Sequence, residues 1–310
     1  MKIVFAGTPE FALPSLEKLV QDNDILCVIT QPDRPGGRGM SLVPSPVKSL
    51  SVKLGIPVIQ PDKIAGSARY LEDLKPDVVV VVAYGQILNS EILKIPKFGC
   101  VNLHASLLPE LRGPEPIAWS IILGKEKTGL TTMWMDEGVD TGDIIFQKET
   151  EILSRDTKGS LEKKMSAAGA DLLCETLKSI EAGNAPRIKQ EGRASGTKFI
   201  KKTDCLIDWS KPAVEIHNII RGLNPLPAAH TFIGKKRFKV YASLWERNAK
   251  ISKSLFVPGE IIDVGNEGIF IATGQGTLVL TEVQPEGKKI MPAKDFLLGH
   301  PLKKGVRLGE

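Results

Sequence analysis

Short apolar runs alternate with helical patterns over the first hundred residues. The runs fall at residues 2–6, 25–30, 56–59, 78–83 and 100–103. Between several of them, at residues 11–20, 47–54 and 67–74, the hydrophobic spacing is that of a helix. Alternation of strand and helix is typical of an open, mostly parallel Rossmann-like α/β sheet with right-handed crossovers.

The pattern continues to residue 182 and then breaks. It predicts a helix at 116–124, strands at 129–136 and 144–151 around an acidic loop, and a long helix at 158–182. The following stretch is irregular and basic, with six Lys and Arg between Arg187 and Lys202. We therefore predict a catalytic domain at residues 1–185 and a basic linker at residues 186–205.

A different pattern begins at residue 206. One amphipathic helix at 211–222 precedes short alternating runs at 237–243, 259–264, 268–272 and 277–283, with Gly and Asn between them. Short strands at this spacing are typical of a small β-barrel of the oligonucleotide-binding (OB) type. Residues 206–310 are therefore predicted to form a C-terminal, OB-like β-barrel domain.

Composition places the chain among soluble globular proteins. Its 310 residues are 42% hydrophobic and 25% charged, and this length favours two domains. The longest apolar run, residues 78–84, is far shorter than the roughly 20 residues of a membrane helix. The first residues lack the pattern of a signal peptide. We expect a cytoplasmic monomer without a membrane partner.

The four cysteines and four histidines are scattered and show no metal-ligand spacing. We therefore expect no metal, and we expect the cysteines to be buried, reduced thiols. They are Cys27, Cys100, Cys174 and Cys205.

Positive charge is concentrated toward the C-terminus. Residues 1–200 carry 24 Lys and Arg against 25 Asp and Glu, whereas residues 201–310 carry 17 against 11, a net of +6. An excess of this kind indicates a polyanionic partner for the C-terminal domain.

The turn after the first strand does not resemble a nucleotide-binding loop. A dinucleotide loop needs three glycines, whereas this turn has Gly7 alone and Pro9 removes an amide donor. A nicotinamide oxidoreductase is therefore disfavoured.

Asn102 and His104 carry the strongest sign of chemistry. They are two residues apart at the end of a predicted strand, so their side chains share a face at the carboxyl edge of the sheet, where such folds bind ligands. An amide donor beside an imidazole suits acyl transfer, because one group stabilises an oxyanion while the other handles protons. The acidic loop at residues 136–143 lacks the ligand alternation of a calcium-binding EF-hand.

Two motifs resemble those of the folate-dependent formyltransferases. They are N-L-H-A-S-L-L-P-x-x-R-G at residues 102–113 and G-L-T-T-M-W-M-D-E-G-V-D-T-G-D-I-I at residues 129–145. Three more features resemble the methionyl-tRNA branch of that family: the loop at residues 31–39 leading to 44–48, the segment at 221–225, and the basic C-terminal domain. Together these features span nearly the whole chain.

This resemblance implies a set of roles. Asn102, His104 and Asp140 match the catalytic triad, in which Asn102 and His104 would stabilise a tetrahedral oxyanion with support from Asp140. The resemblance also implies 10-formyltetrahydrofolate as formyl donor and the amino group of methionyl initiator tRNA as acceptor. Arg38 matches a basic residue of a loop that enters the tRNA acceptor stem. The residues that match the folate-binding segment are Ser106, Leu107, Leu108 and Pro109. The candidate tRNA-binding cations are Arg34, Arg38, Lys198, Lys201, Lys202, Lys235, Lys236 and Arg237.

The sequence departs from the family pattern at Pro114-Glu115, where small residues are common. The loop at residues 31–39 has no apolar residue to anchor it, so we expect it to be mobile without tRNA. Two alternatives stay open: a folate formyltransferase acting on an amino-sugar nucleotide or on glycinamide ribonucleotide, and a non-catalytic RNA-binding protein.

Overall fold

The computed structural model describes residues 1–36, 41–245 and 256–309. It divides into two compact units that interleave along the chain. The first comprises Met1–Pro116, Lys127–Glu151 and Glu162–Thr197, and the second comprises Ile117–Glu126, Ile152–Leu161 and Lys198–Glu310. The predicted domain boundaries, in contrast, were continuous stretches, and they remain a prediction.

The first unit contains a seven-stranded sheet among the described residues. The strands of this half of the chain are β1 (Lys2–Gly7), β2 (Asp24–Ile29), β3 (Arg34–Gly36), β4 (Ser41–Val43), β5 (Val58–Ile59), β6 (Val78–Val82), β7 (Cys100–His104), β8 (Lys127–Trp134) and β9 (Ile144–Glu151). The helices are α1 (Leu13–Asp22), α2 (Pro46–Lys53), α3 (Ala68–Leu74), α4 (Ser90–Leu93), α5 (Pro116–Ile122) and α6 (Lys158–Glu181). Two 3₁₀ turns lie at Glu10–Ala12 and Ile64–Ser67.

The strand order is β5-β2-β1-β6-β7-β8-β9. The first five strands are parallel, while β8 and β9 run antiparallel. Every residue of β6 and β7 is buried, as expected for central strands covered on both faces. The prediction of a mostly parallel Rossmann-like sheet is confirmed.

The second unit is built on an antiparallel sheet. Its strands are β10 (Ala229–Ile233), β11 (Lys236–Trp245), β12 (Ile261–Gly265), β13 (Gly268–Ala272), β14 (Thr277–Pro285) and β15 (Met291–Pro292). Its later helices are α7 (Ala213–Leu223) and α8 (Ala293–Gly299), and a 3₁₀ turn lies at Lys202–Cys205. The order is β10-β11-β14-β13-β12, with β15 paired to β14. Side chains from this sheet and from α7 and α8 form one buried core. The prediction was a small OB-like β-barrel, and the structure shows an antiparallel sheet of short strands in this region.

Several elements were not predicted from the pattern. The hydrophobic pattern did not predict β10, β15 and α8, because these elements are short and show little periodicity. Part of the loop at residues 31–39, which was predicted to be mobile without tRNA, lies outside the described residues. In the described part, Arg34–Gly36 pairs with Ser41–Val43. The Asp33 carboxylate accepts from Lys48 (2.6 Å) and Gln60 (2.7 Å), and these hydrogen bonds lower the pKa of Asp33.

The cysteines are free thiols, and three of the four are buried. Burial raises the pKa of Cys27 and of Cys100 to about 12 each. Cys174 is only half-buried, so the expectation of burial fails there. Within the part of the chain that the structure describes, no helix has the length and apolar character to cross a bilayer.

Candidate active site

Strand β7 places Asn102 and His104 side by side at its carboxyl end. Both side chains are buried, with 8% and 6% of each residue exposed. The neighbouring strand β8 runs antiparallel and pairs His104 with Thr131. The shared face that the two-residue spacing predicted is therefore present, directly before the chain leaves the sheet.

The structure brings Asp140 to both of these side chains. Asn102 Nδ2 donates to Asp140 Oδ1 at 3.2 Å, and His104 Nδ1 lies 3.5 Å from Oδ2. The main-chain amide of Gly113 donates to the same Oδ2 at 2.8 Å. Strand β7 and the loop that follows it thus both contact one carboxylate that lies far along the chain.

The second ring nitrogen of His104 faces a main-chain carbonyl. Nε2 lies 2.9 Å from the oxygen of Leu111. Since a carbonyl oxygen only accepts, Nε2 carries a hydrogen and donates it. The imidazole is therefore oriented from both sides, with Nδ1 toward Asp140.

Asp140 itself has an unusual backbone conformation. Its φ of 52° lies in the left-handed region, which residues with a side chain rarely adopt. Two residues later, a Cβ on Gly142 would lie 1.7 Å from the carbonyl oxygen of Trp134. Only glycine fits at that position, so the turn that presents Asp140 is pressed closely against the sheet.

The turn is also held by a side chain that the sequence analysis did not single out. Gln190 Nε2 donates to the carbonyl oxygens of Asp140 (2.9 Å) and Gly142 (2.8 Å). Its Oε1 accepts from the Arg112 guanidinium, from Nε at 3.0 Å and Nη2 at 2.7 Å. No sequence pattern marked Gln190, which lies in the segment predicted as a linker.

The chain around Gln190 forms what we call the strap, residues 188–197. The strap is bonded along its length: Ile188 and Ile144 exchange main-chain hydrogen bonds, and Ser195 Oγ accepts from the Leu111 amide at 2.9 Å. Thr197 and Arg112 are joined by both main-chain and side-chain bonds. The strap groups with the first unit, whereas Lys198 onward groups with the second.

The predicted folate segment lies directly after β7. The Thr131 hydroxyl donates to the Ser106 carbonyl (2.6 Å) and accepts from the Leu108 amide (3.2 Å), and Gln147 donates to the Leu108 carbonyl. Leu108 is 3% exposed and packs in a cluster with Met133 and Ile144, because this loop folds back onto β8 and β9. Leu107 is half-buried, and Pro109 ends the segment.

The departure from the family pattern at Pro114-Glu115 lies in the loop beside the site. The Pro114 carbonyl accepts from the Thr197 hydroxyl at 2.7 Å. Glu115 has a φ of 56°, and its Oε2 is buried with no hydrogen-bond partner. Leu111 and Gly113, which contact His104 and Asp140, also have positive φ. The loop from 111 to 115 is thus held in an unusual conformation next to the site.

The predicted tRNA-binding cations that the structure describes lie at the surface. Arg34 is exposed on β3, in the first unit. Arg38 lies outside the described residues, so its role stays a prediction. The other predicted cations are exposed and belong to the second unit: Lys198, Lys201, Lys202, Lys235, Lys236 and Arg237. Of these, Lys198 pairs with Asp204 at 3.1 Å.

Across the described residues, no group of three or more His, Cys, Asp or Glu is placed to hold a metal ion.

Comparison with known proteins identifies the family. A family model described as formyl transferase matches residues 1–177, which include Asn102, His104 and Asp140, and one described as formyl transferase, C-terminal domain, matches residues 199–301. A methionyl-tRNA formyltransferase of Pelotomaculum thermopropionicum is 46% identical, over 100% of this chain and 99% of that protein. The chain belongs to the methionyl-tRNA formyltransferase family. A second member, from Clostridioides difficile, is 47% identical over 100% of both chains.

Solved structures show the same fold at lower identity. An N-formyltransferase from Helicobacter canadensis, in complex with folinic acid and dTDP-3-aminofucose, is 21% identical with a TM-score of 0.68. The match covers 92% of this chain and 99% of that one. Family membership thus makes the protein an enzyme of formyl transfer, and the architecture extends to distant formyltransferases.

Proposed function

We propose that the protein transfers the formyl group of 10-formyltetrahydrofolate to the amino group of methionyl initiator tRNA. The observation that carries this proposal is the Asp140 carboxylate, bonded to Asn102 and placed against His104 at the end of β7. Members of the family that match this chain from end to end have the same named activity.

The reaction begins with direct attack of the methionyl amine, in its uncharged form, on the formyl carbon. A C–N bond forms and the carbonyl π electrons move to oxygen, which gives a tetrahedral oxyanion. The Asn102 amide nitrogen carries two hydrogens, so one can remain hydrogen-bonded to Asp140 while the other is donated to the oxyanion. One such donor is worth roughly 3–4 kcal/mol in the transition state.

Collapse of the intermediate breaks the bond to the folate nitrogen. The attacking nitrogen must lose a proton, and the leaving folate nitrogen must gain one. His104 is placed for this transfer, because it is oriented between Leu111 and Asp140 and can hold a second hydrogen on Nδ1 against the carboxylate. No protein nucleophile is required.

The folate would bind along Ser106, Leu107, Leu108 and Pro109. This segment begins two residues after His104 and is fixed by Thr131 and Gln147. A fixed segment at that distance can hold the formyl carbon within reach of the oxyanion donors.

The exposed cations would bind tRNA through its phosphates. Lys235 lies in the turn between β10 and β11, and Lys236 and Arg237 are the first two residues of β11. Phosphate contacts of this kind position a nucleic acid without reading its sequence. Selection of initiator tRNA must come from other contacts, for which Arg38 is the proposed residue.

A formyl-transfer assay tests the proposal. The purified protein is given 10-formyltetrahydrofolate with methionyl initiator tRNA, methionyl elongator tRNA or uncharged initiator tRNA. We expect rapid transfer to the first, slower transfer to the second and none to the third. Faster transfer to an amino-sugar nucleotide or to glycinamide ribonucleotide would establish the alternative acceptor, and no transfer to any amine would reject the proposal.

A further inference from the structure

We propose that Gln190 is a positioning residue for Asp140, and that the strap, predicted from sequence to be part of a basic linker, belongs to the catalytic unit. This inference rests on the proposed function, since it assigns Gln190 a task in the same reaction. The geometry behind it is the pair of bonds from Nε2 to the carbonyls of Asp140 and Gly142.

The orientation of the Gln190 amide is unambiguous. A guanidinium only donates hydrogen bonds, so the atom that faces Arg112 must be the oxygen. The nitrogen must then face the two carbonyl oxygens, which only accept. Arg112 thus fixes the amide, and the amide fixes both ends of the turn that carries Asp140.

The left-handed conformation of Asp140 needs to be stabilised, and Gln190 is bonded to its main chain. A side-chain-bearing residue in the left-handed region is strained and keeps that conformation only where the surroundings enforce it. At Asp140 the enforcement comes from the carboxylate contacts on one side and from Gln190 on the main chain. Without Gln190, we expect the turn to relax and the carboxylate to move away from His104.

The strap also holds the other half of the site. Ser195 Oγ accepts a hydrogen bond from the Leu111 amide, and the Leu111 carbonyl orients His104. Arg112 is joined to Thr197 on one side and to Gln190 on the other. The two partners of the His104 imidazole, the Leu111 carbonyl and the Asp140 carboxylate, are therefore both held in place by the strap. The strap itself supplies no reacting group.

Two variants of Gln190 separate positioning from packing. Gln190→Ala removes both sets of bonds, while Gln190→Glu keeps the volume and the contact to Arg112 but sets a carboxylate oxygen against two carbonyl oxygens. Because a misplacement of about 1 Å at a reacting group can cost on the order of a hundredfold, we expect kcat to fall about thirtyfold in both. The KM values for folate and tRNA should stay within about twofold, since neither binding segment is altered.

The matched control is Gln86→Ala. Gln86 also ties a loop of the first unit by side-chain bonds to main chain, from Ile64 and to Pro61, but it has no link to Asp140. It should keep the wild-type kcat. Hydrogen exchange provides a readout independent of turnover. The main-chain amides of residues 136–143 should exchange faster in both Gln190 variants, and their exchange rates should be unchanged in the control.

A double variant tests the network. Arg112→Lys keeps the charge but loses the paired hydrogen bonds from the guanidinium to Gln190. The double variant Arg112→Lys, Gln190→Ala should therefore lose no more kcat than Gln190→Ala alone. Multiplicative losses would mean that the two residues act separately, and the relay from Arg112 through Gln190 would be rejected.

The outcomes distinguish this inference from the proposed function. If the wild-type protein formylates methionyl-tRNA and Gln190→Glu is as active, Gln190 does not position Asp140. If the losses appear only in KM, the strap serves binding rather than catalysis and the inference is wrong. Should Gln190→Ala fail to fold, Gln190→Glu and its exchange pattern decide alone. If the wild type formylates no tRNA, the function fails, while the exchange data still report on the turn.

Discussion

The groups around Asp140 and the exposed cations of the second unit differ in how each side chain is held. The Asp140 and His104 side chains are 15% and 6% exposed and have defined partners. In contrast, the Lys198 side chain is 60% exposed although it pairs with Asp204, and Lys235, Lys236 and Arg237 are exposed at a turn and the strand that follows it.

Because of this difference, a single substitution should have a different effect on activity in each region. Within a buried network, removing one partner leaves the others unsatisfied and misplaced, so effects are large and not additive. Exposed cations act on phosphates through solvent, so each contributes little and their effects add and depend on salt.

The largest effect is expected at the catalytic residues. Asn102→Ala, His104→Ala and Asp140→Ala should each lower kcat on the order of a hundredfold or more, because each removes a transition-state or orienting contact. Steady-state assays would measure this, and tRNA affinity should be nearly unchanged. The control is Asp143→Ala, in the same loop, whose carboxylate pairs with Lys189 instead. Near-wild-type turnover of His104→Ala would contradict the mechanism.

The next effect concerns discrimination between tRNAs. If Arg38 recognises the acceptor end, Arg38→Ala should reduce transfer to initiator tRNA about thirtyfold and transfer to elongator tRNA much less, as a specific contact is worth about 1–3 kcal/mol. Arg34→Ala, at an exposed position of the same loop, should weaken both tRNAs alike. Rates on both substrates at two salt concentrations separate these cases. Equal losses in Arg38→Ala would make the loop a general electrostatic contact.

A smaller effect is expected from the second unit. The triple variant Lys235→Ala, Lys236→Ala and Arg237→Ala should weaken tRNA binding about tenfold and reduce the slope of log K against log salt by about two to three. A salt titration of binding measures both, with kcat at saturating tRNA as a check. The control removes three exposed lysines of the first unit, Lys53, Lys63 and Lys94. An unchanged slope in the first triple variant would remove this turn from the interface.

The smallest effect concerns stability of the loop beside the site. Glu115→Gly removes a left-handed side-chain residue and a buried, unpartnered carboxylate oxygen, at the entropic cost of a glycine. We expect a net gain of about 1 kcal/mol, or roughly 2–4 °C in Tm. Thermal unfolding measures it.

Lys75→Gly is a matched control for that variant. Lys75 also has a positive φ of 49° and also precedes a proline, but it is exposed. The difference between the two variants reports the cost of the buried carboxylate oxygen. A Glu115→Gly protein no more stabilised than Lys75→Gly would show that this oxygen costs nothing.

Periodicity was enough to predict most of the fold. The continuous apolar run at β6 and the long helix α6 were found because their patterns are strong. The strand β10 was missed, because five residues between turns carry too little pattern. The interleaving of the two units was also missed, since Ile117–Glu126 looks like any other helical stretch. A fragment ending near residue 200 would therefore cut through the second unit.

The side chains of the site were easier to predict than the groups that hold them. The two-residue spacing placed Asn102 and His104 together, and the family motif supplied Asp140. The Leu111 carbonyl and the Gly113 amide were not predictable, because every residue has such groups and only the tertiary fold selects them. Gln190 was hidden for a similar reason, as a polar residue in an irregular segment has no periodic signal.

The strap has a consequence for the order in which the enzyme becomes complete during synthesis. Gln190 lies 78 residues after Arg112 and 50 after Asp140, so the site closes by contacts that are distant in sequence. A nascent chain that has released residues 1–185 from the ribosome holds Asn102, His104 and Asp140 but not the segment that clamps them. Such contacts form late and slowly. The growing chain should therefore acquire its central strands well before it acquires a competent catalytic turn.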